Sequence, residues 1–301
     1  MIKRVTRAGL LGFAFITLAA LLAIRPAFAI PVNTELLLLV DVSGSIDANE
    51  FTLQRTGYAN AFHDATVQQY IANNPGGIAV SLVYWSSNNE QTTAVGWTHL
   101  TDAASADAFA TAISNATRPY NNNTAVQSAL QYGGSLFANN GFEATHLIID
   151  ISGDGVDNNS PTANNFRLGG GRTSALNAGV DTINGLVIGG DSAVTNYYNN
   201  YVLGGGGILF TAATFADFGT AVQQKIFYEV SGCTQNCGCT ENCGCTENCG
   251  CTEGCGTGTT GNPGGDPQVP EPTSLLLLGS GLGGLAAYRR RKPLKDRGRL
   301  D

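Results

Sequence analysis

Basic side chains are nearly missing from the body of this chain. Of its 16 Lys and Arg, four precede residue 30 and seven follow residue 288. The five between face 21 Asp and Glu, a net charge of −16. A surface so short of cations repels nucleic acid and anionic membranes, and it is compatible with divalent cations. Histidine is scarce as well, with only His63, His99 and His146 present. There is no G-x-S-x-G, H-E-x-x-H or Walker sequence, and the glycine-rich "GLGG" and "LGGGR" lack a strand-to-helix setting with a phosphate-binding lysine. A metal-assisted hydrolase would need a general base that none of these motifs offers. The chain is therefore read as a binding protein and not an enzyme. Cysteine is absent up to residue 232, so nothing before that point can be held by disulfides.

The ends carry targeting signals. Lys3, Arg4 and Arg7 precede an apolar stretch, residues 8–24, and Ala27-Phe28-Ala29 is an A-x-A cleavage site. Residues 1–29 are expected to be a signal peptide, with the mature chain starting at Ile30. At the other end a Pro-Glu-Pro turn leads into an apolar stretch, residues 273–288, followed by Arg289 to Lys292. Its 16 residues are short of the roughly 20 that a spanning helix normally needs. The basic cluster would keep the end of the chain cytoplasmic. This tail, residues 270–292, resembles the PEP-CTERM sorting signal of Gram-negative bacteria. The resemblance implies a transmembrane segment over 273–288, a cytoplasmic end at 293–301, and processing by an exosortase-type membrane enzyme.

Between the signals, residues 30–231 suffice for one domain with a substantial core. Apolar runs at 36–42, 78–85, 146–151, 185–188 and 208–212 read as strands, and residues 91–99 as a short antiparallel edge strand. Helical patterns fill the gaps at 48–71, 103–116, 124–137 and 215–230, the first opened by Asp47 with Glu50 as its capping-box partner. The Gly- and Asn-rich pieces at 158–172 and 196–207 read as surface loops. Alternation of apolar strands with helices predicts an α/β sandwich around a mostly parallel sheet.

In such a sheet ligands bind beyond the carboxyl ends of the strands. The stretch "LLLLVDVSGS" ends its apolar run in Asp41, Ser43 and Ser45, three oxygen donors at alternate positions. Hard oxygen donors suit Mg²⁺, Mn²⁺ or Ca²⁺ better than zinc. Two more oxygen donors stand at comparable places. Thr124, in "NNNTAVQSAL", stands where a loop becomes a helix and could equally serve as a helix N-cap. Asp154, in "LIIDISGDG", lies just past a second apolar run and could equally be an Asp-Gly turn. With these residues in order, the chain resembles the von Willebrand factor A domain and its metal-ion-dependent adhesion site. The phrases "INGLVI" and "ISGDG" resemble a bacterial subfamily of that fold whose function is not established.

The resemblance covers residues 33–231 and implies a Rossmann-like sandwich. It also implies a metal site made by Asp41, Ser43, Ser45, Thr124 and Asp154, with Mg²⁺ as the first choice of cation. Where the family commonly has T-D-G, this chain has Gly153-Asp154-Gly155, preceded by Asp150 within the strand. Asp154 is preferred to Asp150 because it lies beyond the strand end. The function implied is adhesion: an Asp or Glu carboxylate from a protein partner completes the cation's shell. The alternative is a structural envelope or matrix component with a vestigial metal site.

All eight cysteines fall in residues 232–256, a six-residue repeat of C-T-x-x-C-G, before a Gly/Thr/Pro linker at 257–269. In an exported chain they are expected to form disulfides and a stiff stalk. The C-x-C pairs also fit a soft-metal thiolate cluster, and crosslinking between chains is a third option. The combined reading is an exported protein of a Gram-negative cell envelope, surface or extracellular matrix, membrane-associated through its tail at least before processing.

Overall fold

Strand β1 (Ile30–Asp41) is buried at every residue from Thr34 to Asp41. A strand covered on both faces reads as an unbroken apolar run, which is why this one is so plain in the sequence. Leu36, Leu38 and Val40 face one core and Leu37 and Leu39 the other, as strand pleating requires. The computed structural model describes residues 29–231. The expected signal peptide (Ala29 apart), cysteine repeats, linker and sorting tail lie outside the described residues.

Five more strands join β1: β2 (Ile78–Trp85), β3 (Gln91–Leu100), β4 (Phe142–Gly153), β5 (Thr182–Ile188) and β6 (Leu209–Ala212). Their order is β3-β2-β1-β4-β5-β6. Every neighbouring pair is parallel except β2 with the edge strand β3. Helices α1 (Ala48–His63), α2 (Ala65–Asn73), α3 (Ala103–Asn115) and α7 (Phe218–Ser231) cover the first core. Helices α4 (Val126–Ser135), α5 (Gly170–Asn177) and α6 (Ser192–Tyr197) cover the second. The α/β architecture with a mostly parallel sheet is thus as expected. Among the described residues no helix is long and apolar enough to cross a membrane.

Several boundaries differ from the sequence-based expectation. The helix expected over 48–71 is two helices. Asp64 sits between them in an extended conformation, and its carboxylate accepts the N–H groups of Thr66 and Val67 as the N-cap of α2. The stretch at 158–172 is not all loop: a 3-10 turn, Ala163–Leu168, and the start of α5 lie within it. The stretch at 196–207 includes the end of α6 and a π-type turn, Tyr198–Val202. Asn164 and Asn165 adopt left-handed angles, φ 55° and 56°, a conformation asparagine tolerates better than most residues.

The sheet order fixes where a site can form. The chain leaves β1 toward β2 on one side, and leaves β4 toward β5 on the other. The connections therefore diverge between the carboxyl ends of β1 and β4, which opens a crevice there. Asp41 ends β1 and Gly153 ends β4, one strand apart.

Candidate metal centre

Asp41 is wholly buried, and the turn that follows folds back on it. The Ser43 N–H donates to Asp41 Oδ1 at 2.8 Å. Ser43 Oγ lies 3.3 Å from Ser45 Oγ, and Ser45 Oγ donates to Asp154 Oδ1 at 2.7 Å. Thr124 Oγ1 donates to Ser43 Oγ at 3.3 Å. All five residues singled out in the sequence therefore meet in one connected set of oxygens. Asp41, Ser43 and Thr124 are buried, Asp154 is half-buried and Ser45 is exposed, so the set opens to solvent on the Ser45 side.

The N-cap role considered for Thr124 is not adopted. Helix α4 takes Ala125 as its N-cap, with no side-chain cap from Thr124. The loop after β4 does that work instead: Asp157 Oδ2 accepts the Gln127 N–H at 2.8 Å. The same loop grips Thr124 by its backbone. Asn158 Oδ1 accepts the Thr124 N–H at 3.0 Å, and the Thr124 carbonyl accepts the N–H groups of Asn158 and Asn159. Thr124 is thereby tied to the loop that carries Asp154, and its hydroxyl is directed at Ser43.

Three supporting residues were not found from sequence. Arg118 lies behind the first turn, where Nη2 donates to the carbonyls of Val42 (2.9 Å) and Ser43 (2.7 Å) and Nε donates to that of Tyr120. Its being one of only five basic residues in the body of the chain was the one available sign. Tyr198 reaches the site from the turn after α6: a Cβ at Gly153 would lie 2.7 Å from its hydroxyl and 2.9 Å from Asp41 Oδ2. Asp157, the cap of α4, is the third. Asp150, weighed against Asp154, is not in the set. It points across β4 to Lys225 of α7, in the first core.

Electrostatically the centre is short of positive charge. Burial, and then the charge of Asp154, push the Asp41 carboxyl up to about 7. Burial also raises Asp154. Asp41 Oδ2 is buried without a hydrogen-bond partner. Among the described residues neither carboxylate pairs with Lys, Arg or His. No group of three or more His, Cys, Asp or Glu there is placed to hold a metal, so a cation at this point would depend on the hydroxyls. Two carboxylates, one of them with an orphaned buried oxygen, and three hydroxyls fit a hard divalent cation.

A family model described as "Protein of unknown function (DUF1194)" matches residues 31–234, and one for the PEP-CTERM protein-sorting motif matches residues 268–292. No curated protein matches the chain. Among solved structures, proximal thread matrix protein 1 from the mussel byssus is similar at 16% identity and a TM-score of 0.50, over 67% of this chain and 47% of that one. The pilus adhesin SpaC from Lactobacillus rhamnosus GG is similar at 15% identity and a TM-score of 0.50, over 67% of this chain and 31% of that one. The chain thus spans less than half the length of either. The likeness is one of fold, to one protein described as a matrix protein and another described as an adhesin. The chain belongs to the family of unknown function DUF1194, with a von Willebrand A-like fold and a C-terminal PEP-CTERM sorting motif.

Proposed function

We propose that this chain is an exported envelope protein that holds a hard divalent cation at Asp41, Ser43, Ser45, Thr124 and Asp154. Through that cation it binds an acidic group on a protein partner. The observation that carries this reading is Asp41 Oδ2: a buried, unpartnered carboxylate oxygen beside a second carboxylate, with no cationic side chain among the described residues paired to either. Such a group calls for a missing positive partner. Mg²⁺ is the first candidate, and Mn²⁺ and Ca²⁺ would use the same donors. When bound, the cation supplies a Lewis-acidic position for a partner's Asp or Glu. The chain's own residues fix that position, Asp41 from below and Ser45 and Asp154 at the open rim.

Binding is favoured over turnover by where the histidines lie. His99 pairs with Ala79 near the start of β2, and His146 with Thr34 in the first half of β1, both toward the far end of the sheet. His63 ends α1 and bonds Asp107 at 2.7 Å. None stands near the cation set as a general base. The sorting motif supports export to the envelope, with an exosortase-type enzyme acting on the tail and membrane attachment through residues 273–288.

Calorimetric titration of wild type and Asp41→Ala with Mg²⁺ and Mn²⁺ tests the reading. Wild type should bind one cation. The variant should keep its circular dichroism and lose more affinity than the roughly 10–100-fold that removing a supporting residue costs a metal site. Equal binding by the two, or no binding by wild type even with a carboxylate ligand present, sinks the adhesion reading and leaves the structural one.

A further inference from the structure

A second polar cluster lies on the opposite side of β4 and has no part in the cation set. Lys225 and Asp150 are 0% exposed and Glu229 is 3% exposed, all within the first core. Lys225 Nζ contacts Asp150 Oδ1 and lies 3.3 Å from Glu229 Oε1, one helical turn along α7. Lys225 Nζ is ion-paired to both carboxylates, yet Asp150 Oδ2 and Glu229 Oε2 are each without a hydrogen-bond partner. A buried ion pair normally persists by saturating its remaining donors and acceptors, and one left half-satisfied is costly. An amine, a carboxyl and a second carboxyl held together in a buried core are also the parts needed for acyl transfer.

We propose that Lys225 and Asp150 join in an intramolecular amide bond, with Glu229 as the acid–base catalyst. Proton transfer within the pair gives a neutral amine and a neutral carboxylic acid, and no outside reactant is needed. The Nζ lone pair attacks Asp150 Cγ, and the carbonyl electron pair moves onto Oδ1. The Tyr58 hydroxyl, 3.3 Å away, donates to that oxygen. Glu229 Oε1, 3.3 Å from Nζ, takes a proton from it; the unpartnered Oε2 must then turn onto the unpartnered Asp150 Oδ2 to deliver a proton there. The carbonyl re-forms and Oδ2 leaves as water. One C–N bond forms, one C–O bond breaks, and Glu229 ends as it began. Burial pushes Glu229 up to about 8, so it carries the proton this relay requires at neutral pH.

The neighbours are arranged accordingly. Asn184 Nδ2 donates to Glu229 Oε1 at 2.9 Å, while Asn184 Oδ1 accepts the Ile208 N–H at 2.9 Å. Both ends of that amide are engaged, so Asn184 positions Glu229 and does not itself supply the acyl group. Tyr58 is held by Ser152 Oγ at 3.2 Å and packed edge-on against Phe218, 5.5 Å between centroids. The amide replaces two incompletely paired charges by neutral groups, and it expels the one product that could reverse it.

Mass spectrometry of the full chain decides the matter. Protein denatured, reduced and digested with trypsin should yield the Asp150 peptide joined to a peptide left uncut at Lys225. The mass should be one water below the sum of the two. Lys225→Arg and the near-isosteric Glu229→Gln should both give separate peptides of full mass. Separate, full-mass peptides from wild type overturn the proposal, and that measurement needs no variant to fold. A link formed with loss of ammonia places the acyl group at Asn184 and overturns the assignment to Asp150. A link formed as completely in Glu229→Gln overturns the role of Glu229.

Discussion

Replacing Gly153 by alanine adds one methyl group where β4 ends against β1. The new Cβ would lie 2.7 Å from the Tyr198 hydroxyl oxygen and 2.9 Å from Asp41 Oδ2. Carbon–oxygen contacts settle at about 3.3–3.6 Å, so both oxygens must retreat by roughly half an ångström. Tyr198 and Asp41 are both 0% exposed, so either retreat is made against buried neighbours. Overpacking of this kind costs about 1–3 kcal/mol. At about 2–4 °C per kcal/mol for a domain of this size, the melting temperature should fall by about 2–12 °C. Asp41 moves with the clash, so Mg²⁺ affinity should fall as well, by about 10–100-fold. Gly155→Ala is the control, since a Cβ there meets Thr124 at 3.4–3.9 Å, an ordinary contact. It should cost no more than about 0.5 kcal/mol. Thermal melts in chelator and titrations in Mg²⁺ read both effects. The reasoning fails if Gly153→Ala melts and binds like wild type, or if the two variants are equally damaged.

Arg118→Ala removes the donors that hold the carbonyls of Val42 and Ser43. It should lower stability by about 1–3 kcal/mol and weaken Mg²⁺ binding, and unchanged binding would show that the first turn holds itself. Burial raises Glu229 above its ordinary 4.5; the charges of Lys225 (opposing) and Asp150 (adding) vanish together in the amide, so the raise stands with or without it, and Asn184 and more distantly Tyr58 also face the group. An acid with a raised folded pKa contributes most below its unfolded value, and that contribution is lost as pH rises. Melting temperature should therefore fall between pH about 4.5 and about 8, and less steeply in Glu229→Gln; parallel profiles would refute this. Alkylation of unreduced mature protein should leave all eight cysteines unlabelled, whereas stoichiometric labelling would point to free thiols or a displaced metal.

Strands β1 and β2 were legible because burial on both faces forces unbroken apolar runs, and the Asp47–Glu50 capping box appears as read. The oxygen set was legible because each donor follows or precedes a strongly patterned element. What supports it was not, since Arg118 and Tyr198 reach Asp41–Ser45 from distant parts of the chain, and local patterning carries no trace of such contacts. The exchange of threonine for Gly153 was visible in the sequence. Only the structure shows a tyrosine hydroxyl beside the vacated volume. Nothing in the helical pattern over 215–230 singled out Lys225 or Glu229, yet both are buried, because α7 meets a strand that carries Asp150. The split at Asp64 went unseen since neither Gly nor Pro marks it; an aspartate does, by capping the next helix.

Pleating gives each residue of β1 a side that its neighbour cannot share. Leu36, Leu38 and Val40 belong to one core, and Leu37 and Leu39 to the other. Asp41 follows the odd set, toward Tyr198, while Asp150 on β4 is turned the other way, toward Tyr58 and α7. Descendants of this gene can therefore exchange one apolar residue for another along 36–40 at modest cost. They cannot change the length of that run by one. A single-codon insertion or deletion there would swap the two cores and carry Asp41 to the wrong side of the sheet.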